Sequence, residues 1–525
     1  MTSSADDSAS ILDAKALQML LSKQALPALE VLPVTETSHP FNGAAWQNVP
    51  IDLDGHGYVE TEYLVSGTAN VYDWVAGSDF HTRVLRCGPF ATRLLVRRPA
   101  HMSSWSGRVV VELLNSTEMY DWAAVWSALW EQLLAKRDVY VGITAKPAVF
   151  PGLQRFDAVR YAGLAMANPL PSDQQAGGSM PGDLGYDPNI SRLYENGLIW
   201  DIVTQTGRLL RSDTAANPLG KPARLVILSG ESQQANYLAS YYKWFAPAAH
   251  LPNGRPLFDG YLADCQTNPN PQTGPYMLPI NQAAAITDPL PDDDPQLGWV
   301  PGRPVPWMAL SSQWDYAAAR GFAQPQNSDT ATHKARFWDL AGSNHSWEWQ
   351  CLYGDACAGD LVKAGVGDPG SYDWHTTVNN PEVPLHMAEK AAYEALVTWV
   401  TEGVAPPVPE HILSEPNDPS IGFGMYRDAA VYDEFGNARG GLRMPMVAVP
   451  IAGYGEGRDG LTPPHGLTEI VPFSGEMLAQ LYISKADYVE KYTAVAMELV
   501  QHRYLLLGDA LKLIAQADAV TSIPG

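Results

Sequence analysis

The stretch Arg224-Leu225-Val226-Ile227-Leu228-Ser229-Gly230-Glu231-Ser232-Gln233-Gln234-Ala235-Asn236-Tyr237-Leu238 constrains this chain more than any other. An apolar run stops at Gly230 and an amphipathic helical pattern begins at once, so strand, tight turn and helix must follow without a linker. A unit of that shape is a nucleophile elbow: the turn residue is held in a strained conformation that lifts its side chain clear of the sheet, beside the positive end of the new helix. The turn residue is Ser232, the candidate nucleophile. The Gly-x-Ser-x-Gly pattern is half met, because Gln234 stands where a second glycine would let strand and helix close up. Taken alone, the same residues equally fit a helix N-cap after a buried strand.

A neutral serine is a poor nucleophile and needs an imidazole to remove its proton and a carboxylate to hold that imidazole in the right tautomer. Both follow in the order Ser, acid, His. Pro304 to Asp315 reads as a strand and then a short polar loop that ends in Asp315, the acid candidate. Arg336 to Leu340 reads as another, and Ala341-Gly342-Ser343-Asn344 is a loop that delivers His345, the base candidate. An oxyanion hole would combine the backbone N–H of Gln233 with one from the loop after the strand Val109 to Leu114, at Asn115 or Ser116. Trp307, Trp314, Trp338, Trp347 and Trp349 crowd around the acid and histidine loops; Trp314 and Trp347 are the candidates for an aromatic pocket wall, with core packing the expected role of at least half of the five. Glu231 reads either as tuning His345 or, as a first helical residue, as complementing the helix dipole.

Around these motifs the pattern alternates. Tyr58 to Ser66 and Phe90 to Arg98 have the period of antiparallel strands; from Arg108 onward, strand and helix alternate, which implies a parallel sheet. The expected organisation is an N-terminal extension over 1–45, a core over 46–404 with insertions at about 146–190 and 266–304, and a loop-rich then helical C-terminal module or lid over 405–525. The stretches Gln266 to Pro304 and Gly453 to Pro472 are rich in Pro, Gly and acidic residues and read as cover segments.

Gly230-Glu231-Ser232-Gln233, Glu62-Tyr63-Leu64-Val65-Ser66-Gly67-Thr68-Ala69, Val109 to Asn115, Asp339 to His345 and Tyr432 to Pro445 together carry a resemblance. From about residue 45 the chain resembles the α/β-hydrolase domain-containing proteins whose elbow reads Gly-Glu-Ser-Gln. It departs from them at Gln234, larger than the small residue usual there, and at Gln313, where those sequences carry a glutamate; Asp315 is then the carboxylate left in that loop. The resemblance implies an α/β-hydrolase fold, with a mostly parallel central sheet, flanking helices, N-terminal antiparallel strands and covering segments. It says little about substrate.

A net charge of −23 over 525 residues argues against nucleic acid and against an anionic membrane surface as partners. No window reaches the roughly 20 apolar residues that span a bilayer, and the polar, acidic first residues lack a secretory pattern, so a cytoplasmic location is expected. Of four cysteines, Cys351 and Cys357 are close enough in sequence to bridge and so brace the histidine loop; the spacing matches no structural zinc site. The reading is a serine esterase that cleaves a carboxylic ester or lactone, apolar or aromatic, through an acyl-enzyme, with no cofactor or metal. Its alternatives are an acyltransferase with the same triad and a silent binder of hydrophobic ligands.

Overall fold

The computed structural model describes residues 11–175, 191–265, 280–282, 291, 294, 296, 302–315, 326–345, 347–354, 358–366, 378–379, 381–415, 429–455 and 469–523. At its centre is a ten-stranded sheet of β1 (Ala28–Leu32), β2 (Tyr58–Trp74), β3 (Thr82–Pro99), β4 (Arg108–Leu114), β5 (Val139–Thr144), β6 (Leu225–Glu231), β7 (Gly260–Asp264), β8 (Trp307–Ser312), β9 (Ser328–Thr330) and β10 (His333–Leu340), in the spatial order β1-β2-β3-β5-β4-β6-β7-β8-β10-β9. From β5 to β10 the strands are parallel. β1, β2 and β3 join β5 antiparallel, and β9 closes the other edge.

β4 and β6 are near-continuous apolar runs because they are buried on both faces. Helix α1 (Ala124–Lys136) links β4 to β5, α2 (Ile199–Leu210) leads into β6, α3 (Gln233–Trp244) follows it, and α4 (Leu385–Glu402) packs on α1, β7 and β8. No side chain of its own caps α1; Glu112 in the middle of β4 does so instead, accepting from Val125 N at 3.0 Å and Trp126 N at 2.9 Å. The chain leaves β4 for β5 on one side, whereas β6 lies on the other. Strand order therefore reverses between β4 and β6, and a crevice opens outside their carboxyl ends.

Two expected boundaries change. Residues 1–45 are not an extension throughout, because β1 is a strand of the sheet. Buried arginines hold the segment behind it: Arg160 donates to Leu32 O at 2.9 Å and Pro33 O at 2.7 Å, Arg97 to Asn42 O at 2.9 Å, and Arg93 and Arg160 share the buried Glu62. The C-terminal segment is likewise built into the core. Leu442 exchanges backbone hydrogen bonds with the end of β10, at 2.7 Å to Asp339 O and 3.1 Å from Ala341 N. Lys390 of α4 joins Glu131 of α1 at 2.9 Å to Asp509 of the last helix at 2.8 Å. The helical part of the expected C-terminal module is three helices: α5 (Gly475–Leu481), α6 (Lys485–Gln501) and α7 (Leu507–Ala519). Most of the expected cover at 266–304 and the tip of the one at 453–472 lie outside the described residues, as does Cys357. The flanks of that second segment, Ala452–Gly455 and Glu469–Pro472, pair as antiparallel strands.

Candidate active site

The elbow forms at the strand reversal. Ser232 has φ 54° and ψ −119°, a conformation that costs an L-residue of order 1–3 kcal/mol and persists only when its surroundings impose it. They do: the Ser232 N–H donates to Asp264 O of β7 at 2.9 Å, and its carbonyl accepts from Asn236 N at 3.3 Å in the first turn of α3. Gly230 is required, because a Cβ there would stand 2.7 Å from the backbone oxygen of Gln234. Gln234 does not hold strand and helix apart. Its buried amide reaches sideways to Ser116 Oγ at 3.0 Å, on the β4 loop.

β8 and β10 are neighbours in register, so their ends deliver Asp315 and His345 side by side. Ser232 Oγ lies 3.0 Å from His345 Nε2, and His345 Nδ1 lies 2.8 Å from Asp315 Oδ1. Asp315 is fully buried and locked by Ser312, whose hydroxyl donates to Asp315 Oδ2 at 2.5 Å and accepts from Asp315 N at 3.1 Å. Gln313 holds the histidine loop, accepting from Gly342 N at 2.6 Å and donating from its own N–H to Ser343 Oγ at 3.3 Å. The missing glutamate at 313 is therefore a loop brace. Burial disfavours the His345 cation, but Asp315, with Glu231 and Asp264 beyond it, outweighs burial and raises the imidazole to about 9. Trp314 packs against the His345 ring with centroids 5.2 Å apart.

Other candidates fall elsewhere. Asn115 is no oxyanion donor: its N–H donates to Trp122 O at 2.8 Å, and its amide donates to Glu231 Oε2 at 2.5 Å. Ser116 stays at the crevice, its hydroxyl 3.4 Å from Gln233 Oε1. Glu231 is the last residue of β6 and precedes α3, so it makes no helix-end contact. Trp347 is buried in the core with Trp307 and Trp338. The neighbouring carboxylates Asp329 and Asp339 belong to the scaffold, Asp329 accepting from Trp399 Nε1 at 2.7 Å and Asp339 from His411 Nδ1 at 2.7 Å. Among the described residues, Cys265, Asp315 and His345 bring potential metal-ligating atoms within 4.8 Å of one another. Asp315 and His345 meet there through their own hydrogen bond at 2.8 Å.

Several residues at the site escaped the sequence reading. Ser312 carries a readable signal, a hydroxyl three residues before the acid in a turn that it closes on itself. Asp264, Cys265 and Glu389 carry none, because they meet the site only through the packing of β7 and α4.

A mostly parallel, helix-flanked sheet with a serine, an acid and a histidine just past the ends of β6, β8 and β10 defines an α/β-hydrolase. The chain matches the family described as alpha/beta hydrolase domain over residues 26–515, and it belongs to that family. No curated protein matches it. Among solved structures it is similar to a methylesterase (9% identity, 56% of this chain and 47% of that one, TM-score 0.24), a thermostable esterase from Pseudomonas putida (12%, 61% and 83%, 0.29) and one of two fungal esterases from Rhizomucor miehei (11%, 65% and 90%, 0.30). The chain thus spans about half the length of the first. No described helix is long and apolar enough to cross a membrane.

Proposed function

We propose that this protein is a serine hydrolase that cleaves a carboxylic ester or lactone through an acyl-enzyme. The observation that carries the reading is the unbroken chain from Ser232 Oγ through His345 to Asp315, at 3.0 Å and 2.8 Å, with Ser232 at positive φ on the strand reversal. Ser232 attacks the carbonyl carbon while His345 Nε2 takes its proton. The imidazolium, held by Asp315, then protonates the leaving alcohol; water gives a proton to His345 as its oxygen bonds to the acyl carbon, and His345 returns that proton to Ser232 Oγ as the Oγ–carbon bond breaks and the acid leaves. The oxyanion is held by the N–H of Gln233, at the positive end of α3, and by the N–H of Ser116 across the crevice. Trp314 beside His345 supports an apolar or aromatic substrate.

A fluorophosphonate probe tests the reading, followed by a panel of esters, lactones and amides. The probe is expected to label Ser232, and Ser232→Ala is expected to lose label and at least about 10⁴-fold in turnover while its melting temperature stays near that of the parent. If Ser232→Ala keeps a tenth of the activity, the nucleophile is elsewhere.

A further inference from the structure

His345 stands between two carboxyl groups. Asp315 meets Nδ1; on the other side Glu231 Oε1 lies 3.8 Å from Nε2, the nitrogen that carries the travelling proton. Glu231 is buried and anchored by one oxygen only: Oε2 accepts from Asn115, whereas Oε1 has no hydrogen-bond partner among the described residues and faces the imidazole. Unpaired buried carboxylate oxygens are costly, and one aimed at a nitrogen that alternates between neutral and cationic states has a use when the charge appears.

We propose that Glu231 is a positioning residue for the proposed hydrolysis: a second carboxylate that holds the His345 imidazolium from the Nε2 side between proton uptake from Ser232 and proton delivery to the leaving group. In the resting state Ser232 Oγ occupies Nε2 at 3.0 Å. Once Oγ has bonded to the substrate carbon and its proton sits on Nε2, Oγ is no longer an alkoxide-like acceptor. Glu231 Oε1 then needs to close under 1 Å to accept that N–H, and it gains no proton in the cycle. The inference rests on the Ser232 reading.

The surroundings keep Glu231 responsive. Burial pushes its carboxyl up to about 8; His345 pulls it down, and Asp264 and Asp315 push it further up. Behind it the Asp264 and Glu389 carboxyls, from β7 and α4, meet each other, and burial pushes both up. The Cys265 thiol, also buried, faces Asp264, Asp315 and Glu231. The positive partner of these acids is the His345 imidazole. Glu231 and the imidazole each shift the other, so the two ionise as a coupled pair.

The experiment is the pH profile of kcat/KM together with the imidazole proton resonances of His345. Wild type is expected to gain activity through an acid limb well above the ordinary histidine value, and His345 is expected to titrate in two coupled steps. Glu231→Gln keeps shape and the Asn115 contact but removes a negative neighbour, so the imidazole loses protons more easily: the limb and the His345 titration move down by about one pH unit, and kcat falls with KM unchanged. Glu231→Asp keeps the charge and restores much of the limb position. An unmoved limb and titration in a folded Glu231→Gln overturn the inference. If that variant does not fold, a simple one-site His345 titration in wild type overturns it equally. The resonances require no turnover, so failure of the Ser232 assignment, seen as activity in Ser232→Ala, is separable from failure of this one.

Discussion

Three atoms on one residue set what the site can do. The hydroxyl of Ser312 fills both the acceptor and the donor needs of Asp315, leaving one carboxylate oxygen free to face His345 Nδ1. Asp315→Asn keeps the shape but favours the wrong imidazole tautomer, and kcat is expected to fall by about 10²- to 10⁴-fold with the fold intact. Asp339→Asn gives the opposite split: it weakens the seat of His411 and of Ile412, whose N–H Asp339 accepts at 2.5 Å, so stability is expected to fall while turnover per folded molecule holds. Steady-state kinetics beside thermal melts check both, and equal losses of kcat would show that Asp315 too is a scaffold residue. The Ser232, Asp315 and His345 candidates were legible in sequence because each follows an apolar strand run. Asn115 was misread because a side chain can be placed by strand-end logic, whereas the partner of its backbone N–H is fixed by Trp122, a residue of the returning loop.

At the scale of elements, the elbow depends on how closely α3 approaches β6. Gly230 sits under the backbone carbonyl of Gln234, and backbone cannot move aside as a side chain can. Gly230→Ala is therefore expected to cost about 1–3 kcal/mol of overpacking and to shift Ser232 out of line with His345, so probe labelling should slow by more than the loss of folded protein explains. Unchanged labelling would mean that the elbow tolerates a wider strand-to-helix gap. The tolerated departure at Gln234 has the converse reason: its side chain has somewhere to go, the Ser116 hydroxyl. Apolar patterning located β4 and β6 to within a residue or two, because each is an unbroken run with a turn behind it. It missed β1, five residues long and mostly exposed, whose place comes from pairing with β2 and from the arginines beneath it.

Across the molecule, buried carboxyls dominate the response to pH. Burial raises Glu112 and Glu195 to about 7 and Glu231 and Glu382 to about 8. The folded chain therefore binds more protons than the unfolded chain between the ordinary carboxylate range and pH 8, and stability falls as pH rises through that window. His386 acts oppositely: burial, with Lys390 and Lys512 adding to it, holds its cation well below the usual range, so stability is lost as pH drops below the unfolded histidine value. The melting temperature is expected to decline steadily from pH 6 toward pH 8.5, a trend that the net charge of −23 reinforces. A melting temperature that rises between pH 6.5 and 8.5 would show that these carboxyls are ionised in the folded state.

The sequence by itself determined the α/β class, the elbow with its serine, the order of serine, acid and histidine, and the strand ends that present them, because each is written in short-range patterns of apolarity and turn residues. Only the tertiary structure decided that the chain's two ends are parts of one core. It also decided that Asn115 braces Glu231 and that Glu231, Asp264 and Glu389 stand behind His345. Those contacts join side chains from the loop after β4 and from β6, β7 and α4, elements brought together by the tertiary fold, and no local pattern records which carboxyl will face an imidazole across a sheet.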